Sequence, residues 1–328
     1  MDESNNRPVE MAASLATCLI NISEGRRVEV VRAVVAAATR AIQEGARGEA
    51  VVLNTFVDRE YNRSVVTVAG SAAGLEVAVV AAAREAMARV DLRRHAGGHP
   101  RLGAVDLLPF HPLAAGTSVQ ACAALARSVA AELARQVPHA GFFYFGAADE
   151  EGRSLASRRR ELGWFGGVAR GAWDLGEGAP AQGVTGVGAA PYMANFNITL
   201  DTRRREVGEV VVRRIRERSG GMLGVSAMAF PHHGATEVAC NVDMFLLDEA
   251  SARHRAEVAA GRVERVMGEY WRSRPAALEE AVAEAAGREG VAVVGDSVVV
   301  GLPLEEARRV ALEAMARGEA CLPHVCSI

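Results

Sequence analysis

Apolar and polar positions along the first half of the chain predict an alternation of strands and helices. Runs of β-branched and apolar residues predict strands, whereas apolar residues spaced three and four apart predict helices. The predicted elements are a strand at 15–22, a helix at 28–46, strands at 49–57 and 63–70, a helix at 75–90 and a strand at 104–111, followed by a further helix at 118–136 and a strand at 141–147. The order of the first six, β-α-β-β-α-β, is that of the ferredoxin-like arrangement.

The second half of the chain repeats this order. Its predicted elements are a strand at 191–200, a helix at 202–219, strands at 222–230 and 236–245, a long helical stretch at 249–289 broken near Pro275, a strand at 291–300 and a helix at 303–317. The sequence therefore predicts an α/β fold of two ferredoxin-like (βαββαβ) subdomains, 14–183 and 184–328, packed across a central substrate cleft, after a disordered tail at 1–13. The Gly- and Ala-rich segment 163–190 is either a linker or a loop that lies against a ligand.

Composition excludes several classes of function. All 37 basic residues are arginine, and pyridoxal Schiff-base chemistry and a Walker-type phosphate loop both need a lysine. The arginines are dispersed among 40 acidic residues at a net charge of −3, which indicates no nucleic-acid partner. No apolar run is long enough to span a membrane and the N-terminus does not resemble a signal peptide, so we expect a cytoplasmic protein.

The five cysteines are scattered and form no CxxC pair, so neither a zinc ribbon nor a disulfide framework is indicated. Cys18, Cys122 and Cys240 stand in or beside apolar stretches and are interpreted as buried thiols. Cys321 and Cys326 flank His324, which leaves a metal site at the C-terminal tail as an alternative, although we predict no metal.

The segment that carries candidate chemistry runs from His95 to Asp106 and reads HAGGHPRLGAVD. Two histidines four residues apart occur in zinc-binding helices, but Gly97 and Gly98 weaken a helix and Pro100 disfavours helical backbone at His99. We therefore expect His99 to be extended on a glycine-rich loop that precedes a strand. An imidazole there suits proton transfer at neutral pH. The alternative is a histidine that only satisfies buried backbone groups.

Four motifs give the chain a resemblance to the formiminotransferase domain family. They are Cys18–Gly25 (CLINISEG), His99–Asp106 continuing to Pro109-Phe110, Phe196-Asn197-Ile198, and Val293-Val294-Gly295 with Gly301–Leu304. HPRLGAVD is the specific match, and the four lie in order along nearly the whole chain.

The resemblance implies transfer of a formimino or formyl group between N-formimino-glutamate, or a related donor, and N5 of tetrahydrofolate as co-substrate. It implies that His99 is the general acid/base and that Asp58 assists it. Arg63 and Arg101 are candidates for holding the carboxylates of glutamate, and the alternative for each is a surface ion pair. The other implied substrate-binding residues are Asn21, Ser23, Asn62 and Gly103, and the implied folate-binding residues are Asp174, Gly176, Gly178, Gly183 and Asn197. A homodimer is expected from the family alone.

Two departures from the family pattern leave alternatives open. In animal members an aspartate stands six residues before the Asn-Arg pair, where this chain has Phe56, and the nearest acid is Asp58. The folate loop also retains little beyond its glycines. Both features resemble the stand-alone, plant-type branch that lacks the cyclodeaminase domain. The alternatives are a non-catalytic folate- or pterin-binding module of the same fold, and a protein for an unrelated ligand in which HPRLG is a structural turn.

Overall fold

The computed structural model describes residues 14–166 and 169–326, so the predicted disordered tail at 1–13 lies outside the described residues. The chain divides into two compact units. One comprises the residues up to Ala190 together with Pro303 onward, and the other is Pro191–Leu302. The predicted boundary at 183/184, with everything after it in one subdomain, differs from this division. The physical reason is that a strand at 184–189 and the C-terminal segment both belong to the first unit.

The first unit alternates strands and helices as the sequence predicts. Its elements up to residue 190 are β1 (Ala16–Ile22), α1 (Val28–Gly45), β2 (Ala50–Asp58), β3 (Arg63–Gly70), α2 (Ala72–Arg89), β4 (Val105–Pro112), α3 (Val119–Gln136), β5 (Gly141–Gly146), α4 (Leu155–Glu161), β6 (Leu175–Gly176) and β7 (Val184–Ala189). Helix α1 buries valines and Ile42 at helical spacing, and Ser71 and Ser118 cap α2 and α3 by accepting backbone N–H groups.

The seven strands form one sheet in the order β2-β3-β1-β4-β7-β5-β6. Strand β1 pairs antiparallel with β3 and with β4, so the first four strands have the ferredoxin-like order, which confirms the predicted fold class. Phe110 of β4 and Phe142 and Phe143 of β5 are fully buried and anchor the core of this unit.

Strand β7 is the element that the sequence interpretation missed. Its sequence, VTGVGA, has two glycines, which are depleted in strands. It nevertheless lies in the sheet interior, parallel to both β4 and β5. A side chain at Gly186 would place its Cβ 2.6 Å from Cζ of Phe143 and 2.8 Å from Cδ2 of Leu107, so the glycine makes room for large neighbours. Part of the predicted linker or loop at 163–190 is therefore a buried strand.

The second unit contains a second ferredoxin-like sheet. Its elements are β8 (Met193–Leu200), α5 (Arg205–Ile215), β9 (Val225–His232), β10 (Ala235–Asp243), β11 (Phe245–Leu246), α6 (Ala252–Ala259), β12 (Val263–Met267), β13 (Tyr270–Ser273), α7 (Pro275–Gly287) and β14 (Val293–Val300). The sheet order β14-β8-β10-β9 matches that of the first four strands of the chain. Its core packs α5 and α7 against one face of the sheet.

The predicted long helical stretch at 249–289 is wrong. After the short helix α6, the chain forms β12 and β13, which make a separate three-stranded sheet with β11, and only then enters α7. Gly261, with a φ of 66°, follows the end of α6. Gly268, with a φ of 55°, forms the turn between β12 and β13. The sequence of Val263–Met267, VERVM, does not alternate apolar and polar residues, so it carries no clear strand signal.

The C-terminal segment returns to the first unit. It contains α8 (Leu304–Ala316), which packs on β2, and a short helix α9 (Pro323–Cys326). Val52 of β2 donates its N–H to the carbonyl of Ala320 and accepts the N–H of Leu322, at 2.9 and 3.1 Å. The segment therefore pairs with β2 at the outer side of the sheet.

The cysteines are only partly as predicted. Cys18, Cys122 and Cys240 are buried thiols, as the sequence indicates. Cys321 and Cys326, which the sequence did not identify as a pair, are joined by a disulfide. Among the described residues, no helix combines the length and apolar character needed to cross a membrane.

Gly186→Ala tests the packing of the missed strand. The added methyl group must displace Phe143 or Leu107, so we expect the free energy of unfolding to fall by about 1–3 kcal/mol. The matched control is Gly45→Ala at the exposed end of α1, where the new Cβ would lie 3.7 Å from the Val77 side chain, an ordinary contact. Urea unfolding followed by circular dichroism measures both variants, and equal stability for the two would contradict the interior position of β7.

Candidate functional site

The turn between β2 and β3 builds one wall of the candidate site. Asp58 Oδ1 accepts the Tyr61 backbone N–H at 2.7 Å, and Asn62 adopts a left-handed φ of 51°, a conformation that asparagine tolerates. The Asn62 side chain accepts the N–H of Gly25 at 2.9 Å and donates to the Ala96 carbonyl at 3.1 Å. A Cβ at Gly25 would lie 2.2 Å from the Asp58 carbonyl oxygen, so only glycine fits there. Asn62 thus joins three segments of the predicted motifs.

The loop that carries His99 is fixed at several points. The His95 ring Nε2 lies 3.0 Å from the Asn62 carbonyl oxygen, and Arg101 donates to the His95 carbonyl at 3.0 Å. The Ser23 hydroxyl donates to the Gly103 carbonyl at 2.7 Å. A Cβ at position 103 would lie 2.3 Å from the carbonyl oxygen of Val105, so only glycine fits there. The loop is therefore held by hydrogen bonds rather than left free.

The hydrogen bonds of His99 identify its tautomer. Its Nδ1 lies 2.7 Å from the carbonyl oxygen of Pro100, and its Nε2 lies 2.7 Å from Nη1 of Arg63, which is also 3.2 Å from Nδ1. A carbonyl only accepts and a guanidinium only donates. Nδ1 therefore carries the proton that it donates to Pro100, whereas Nη1 of Arg63, which is close to both ring nitrogens, lies over the ring and not on the Nε2 lone pair.

The surroundings of His99 favour the neutral form of the ring. The ring is partly buried, with Tyr61 and Trp164 edge-to-face at centroid distances of 5.7 and 5.6 Å. Burial lowers the pKa of His99 well below its usual value, and the positive charges of Arg63 and Arg159 lower it further. The imidazole is therefore a proton acceptor, not a cation, at neutral pH.

Arg63 connects the predicted residues of β1, β2 and the loop. Its Nη2 donates to the Asn21 side-chain oxygen, and its Nη1 contacts His99. Burial lowers the pKa of Arg63, and the nearby carboxylates of Asp106 and Asp58 oppose that effect. Asp58 is the register partner of Arg63 at the end of the β2–β3 ladder, and its carboxylate raises the pKa of that guanidinium.

Arg101 has capacity to bind an anion. Burial lowers the pKa of its guanidinium, and its Nη2 donates to the loop, whereas its Nε has no hydrogen-bond acceptor within the described parts of the chain. An unpaired buried N–H costs free energy that an incoming acceptor can offset. A carboxylate suits this group because it matches the geometry of the guanidinium.

Two residues at the site were not identified from the sequence. Arg159 of α4 pairs with Asp106 at 3.2 Å and stacks on the Trp164 ring, with 4.3 Å between its Cζ and the ring centroid. Burial lowers the pKa of Arg159 to about 10. The signal was the Arg158–Arg160 run followed by Trp164, but consecutive arginines on a short helix ordinarily face solvent.

The predicted folate-binding loop lies along β5 and β6. Asp174 accepts the Tyr144 N–H at 2.7 Å and pairs with Arg158 at 3.0 Å. Gly176 has a φ of 74° and pairs with Gly141 of β5, and Gly178 packs against the Trp173 ring. These contacts fix the loop to the sheet.

Gly183 is the member of the predicted folate set that reaches the His99 loop, since it forms an isolated bridge with Gly103. Asn197 lies in β8 of the second unit, opposite Ala239 of β10 and Val298 of β14. The structure thus joins the predicted catalytic and substrate-binding residues in one network, namely Asn21, Ser23, Asp58, Asn62, Arg63, His99, Arg101 and Gly103. Asp174, Gly176 and Gly178 stand apart at the β5–β6 edge of the sheet.

Comparison with known proteins identifies the family. Residues 15–190 match the model of the formiminotransferase domain, N-terminal subdomain, which covers more than half of the chain. The chain belongs to the formiminotransferase family. The resemblance drawn from HPRLGAVD and the other motifs is therefore confirmed, and the network around His99 is that of a formiminotransferase-family domain.

Three relatives illustrate the extent of the similarity. A formiminotransferase cyclodeaminase-like protein of Arabidopsis thaliana is 33% identical over 250 residues, which span 70% of this chain and 82% of the relative. A glutamate formimidoyltransferase of Thermoplasma acidophilum is 29% identical over 228 residues, or 66% of this chain and 72% of the relative. A glutamate formimidoyltransferase of Streptococcus pyogenes is 30% identical over 217 residues, or 64% of this chain and 70% of the relative.

His99→Gln tests the neutral state of the imidazole through the pH dependence of stability. The unfolded chain protonates this histidine near its ordinary pKa of about 6.5, whereas the folded chain resists protonation, so the unfolded state binds more protons as the pH falls. The wild type should therefore lose stability more steeply than the variant below that pH, by at most about 1.4 kcal/mol per pH unit. Chemical unfolding between pH 7.5 and 5 measures the two slopes, and identical slopes would refute the assignment.

Proposed function

We propose that this protein transfers a formimino, or formyl, group between N-formimino-glutamate, or a related donor, and N5 of tetrahydrofolate, with His99 as general acid/base. The observation that carries the proposal is the neutral imidazole of His99, which contacts the guanidinium of Arg63 in the loop that matches the family motif. Family membership supports transfer of a formimino group in general terms, and the role of each residue is part of the proposal.

The proton transfers that the reaction needs suit one imidazole. When N5 attacks the amidine carbon of the donor, a carbon–nitrogen bond forms and N5 must lose its proton. His99 Nε2, which carries the lone pair in the assigned tautomer, accepts that proton. When the bond between the carbon and the glutamate nitrogen breaks, the imidazolium returns the proton to that nitrogen. The depressed pKa of His99 makes this second step favourable, because the charged ring is a strong acid.

Binding of the donor would also act on Arg63. The Nη1 group of Arg63 lies 2.7 Å from Nε2 and 3.2 Å from Nδ1 of His99. A carboxylate of the donor is a stronger acceptor than a neutral imidazole and would compete for that guanidinium. Arg101, with its unpaired Nε, provides a second position for the donor. Binding of the anionic donor would thus draw Arg63 away from the His99 ring.

Tetrahydrofolate enters as the second substrate. Gly183 is the predicted folate residue in direct backbone contact with the His99 loop, and the loop before it is fixed to β5 by Asp174 and Gly176. A rigid glycine-rich backbone suits close approach of a flat ring. The proposal invokes no metal, because proton transfer and orientation of the two substrates supply the chemistry.

The first test removes the proposed base. The purified protein, given tetrahydrofolate and N-formimino-glutamate, should form 5-formimino-tetrahydrofolate, which is followed by its absorbance. His99→Ala should lower kcat by about 10²- to 10⁴-fold, the usual contribution of a general acid/base, while calorimetry still detects folate binding. Unchanged turnover in this variant would end the proposal. Folate binding by the wild type without turnover on any formimino or formyl donor would instead favour the non-catalytic folate-binding module.

The second test concerns the donor site. Arg101→Met removes the proposed carboxylate contact and should raise the KM for N-formimino-glutamate about 10- to 100-fold with little change in the KM for tetrahydrofolate, since one charge-assisted hydrogen bond contributes about 1.5–3 kcal/mol. The control is Arg94→Met, because Arg94 is exposed in the segment just before the loop. If both variants kept the wild-type KM for the donor, Arg101 would have no part in donor recognition.

A further inference from the structure

Arg159 and Trp164 form a contact layer over His99 that neither the family motif nor the proposed mechanism uses. Trp164 is 4% exposed, and the edge of its ring system packs against the His99 ring. Trp164 also contacts Arg159, with 4.3 Å between the guanidinium Cζ and the ring centroid. Such stacking of a guanidinium on an indole is attractive and restricts the orientation of both groups.

The indole of Trp164 is held by ring contacts and not by a hydrogen bond. Its Nε1 is buried and finds no acceptor among the residues that the structure describes. Tryptophan N–H groups in protein interiors usually have a partner, so the ring is not anchored in the ordinary way. The orientation of Trp164 depends on the guanidinium on its face and on its edge contacts with His99 and Phe165.

Arg159 is itself anchored from the motif that carries His99. Asp106 accepts from the Arg159 Nη2 at 3.2 Å through one carboxylate oxygen, and through the other it accepts the Leu102 backbone N–H at 2.8 Å. One aspartate therefore fixes both the end of the His99 loop and the guanidinium that holds Trp164. Through these two hydrogen bonds, Asp106 connects α4 to the loop that carries His99.

We propose that Arg159 is a positioning residue for His99, because it holds the Trp164 indole against the imidazole and places a second guanidinium charge beside it. Removal of Arg159 would free the indole and change the electrostatic surroundings of the ring. The catalytic consequence rests on the proposed formimino transfer, whereas the effect on His99 itself does not. Arg159 is not assigned contact with either substrate.

The direction of the electrostatic effect follows from the groups around the ring. The charged and titratable groups that surround His99 and its neighbouring guanidiniums are Arg63 of β3, Arg101 and His95 of the loop, Arg159 of α4, Tyr61 of the β2–β3 turn, Asp106 of β4 and Asp58 of β2. Loss of the Arg159 charge removes a repulsion from the imidazolium and leaves the Asp106 carboxylate less neutralised. Both changes favour protonation, so His99 should titrate at higher pH without Arg159.

The experiment compares Arg159→Met, Arg159→Lys and the control Arg160→Met, since Arg160 is the exposed neighbour on the same helix. The His99 ring nitrogens are followed by NMR against pH, with His99→Gln to assign the signals. We expect R159M to move the titration to higher pH and R160M to leave it at the wild-type position. R159K, which keeps a charge but lacks the planar group that stacks on Trp164, should titrate near the wild type.

The kinetic measurements distinguish the effect of the Arg159 charge from its effect on the position of His99. The acid limb of the kcat/KM profile should move to higher pH in R159M, and kcat should fall about tenfold or more in both R159M and R159K, because misplacement of a catalytic group is costly. A wild-type titration of His99 in R159M, or full activity in R159K, would overturn the proposal. If R159M does not fold, Trp164→Leu replaces it, and undiminished kcat in that variant would likewise overturn it. Absence of formimino transfer by the wild type would refute the proposed function, while the NMR titration would still decide the role of Arg159.

Discussion

The candidate site depends on one buried cation, the guanidinium of Arg63. A charge taken out of water is tolerated only where its hydrogen-bond donors are paired and its charge is compensated. Asn21, His99 and the nearby carboxylates of Asp58 and Asp106 meet that requirement. The strands and loops that supply these groups meet at Arg63, so the contacts that compensate its charge also lie against the imidazole.

This arrangement explains the excess of positive charge at the site. Three guanidinium groups, those of Arg63, Arg101 and Arg159, act on His99, and two carboxylates oppose them. A neutral imidazole in a positive environment is repelled from its charged form and attracts anions to the same place. The electrostatics that keep His99 neutral therefore also favour the anionic donor of the proposed reaction, and the two properties have one physical origin.

Much of the fold was predictable because its strands are rich in β-branched residues and its helices have clear apolar faces, as in β3 and α1. The failures occur where packing overrides local preference. Strand β7 contains Gly186, where the missing side chain leaves room for Phe143 and Leu107. The β12–β13 hairpin lies in a stretch with helix-forming composition. Similarly, His99 and Arg63 lie in recognisable motifs, whereas tertiary structure brings Arg159 and Trp164 to the site, and a run of arginines on a short helix does not predict that position.

The return of the C-terminal segment to β2 makes the second unit an insertion within the first. Residues 320–322 pair with Val52, and α8 packs on the same strand, so the first unit contains pieces from both ends of the described chain. During synthesis on the ribosome, β2 must wait for its last partner until some 270 further residues have been made, as the positions of Val52 and Leu322 require. The intervening unit has all of its own strands available before that moment. Vectorial translation therefore gives the inserted unit the earlier opportunity to fold, and the first sheet receives its final strand contact last.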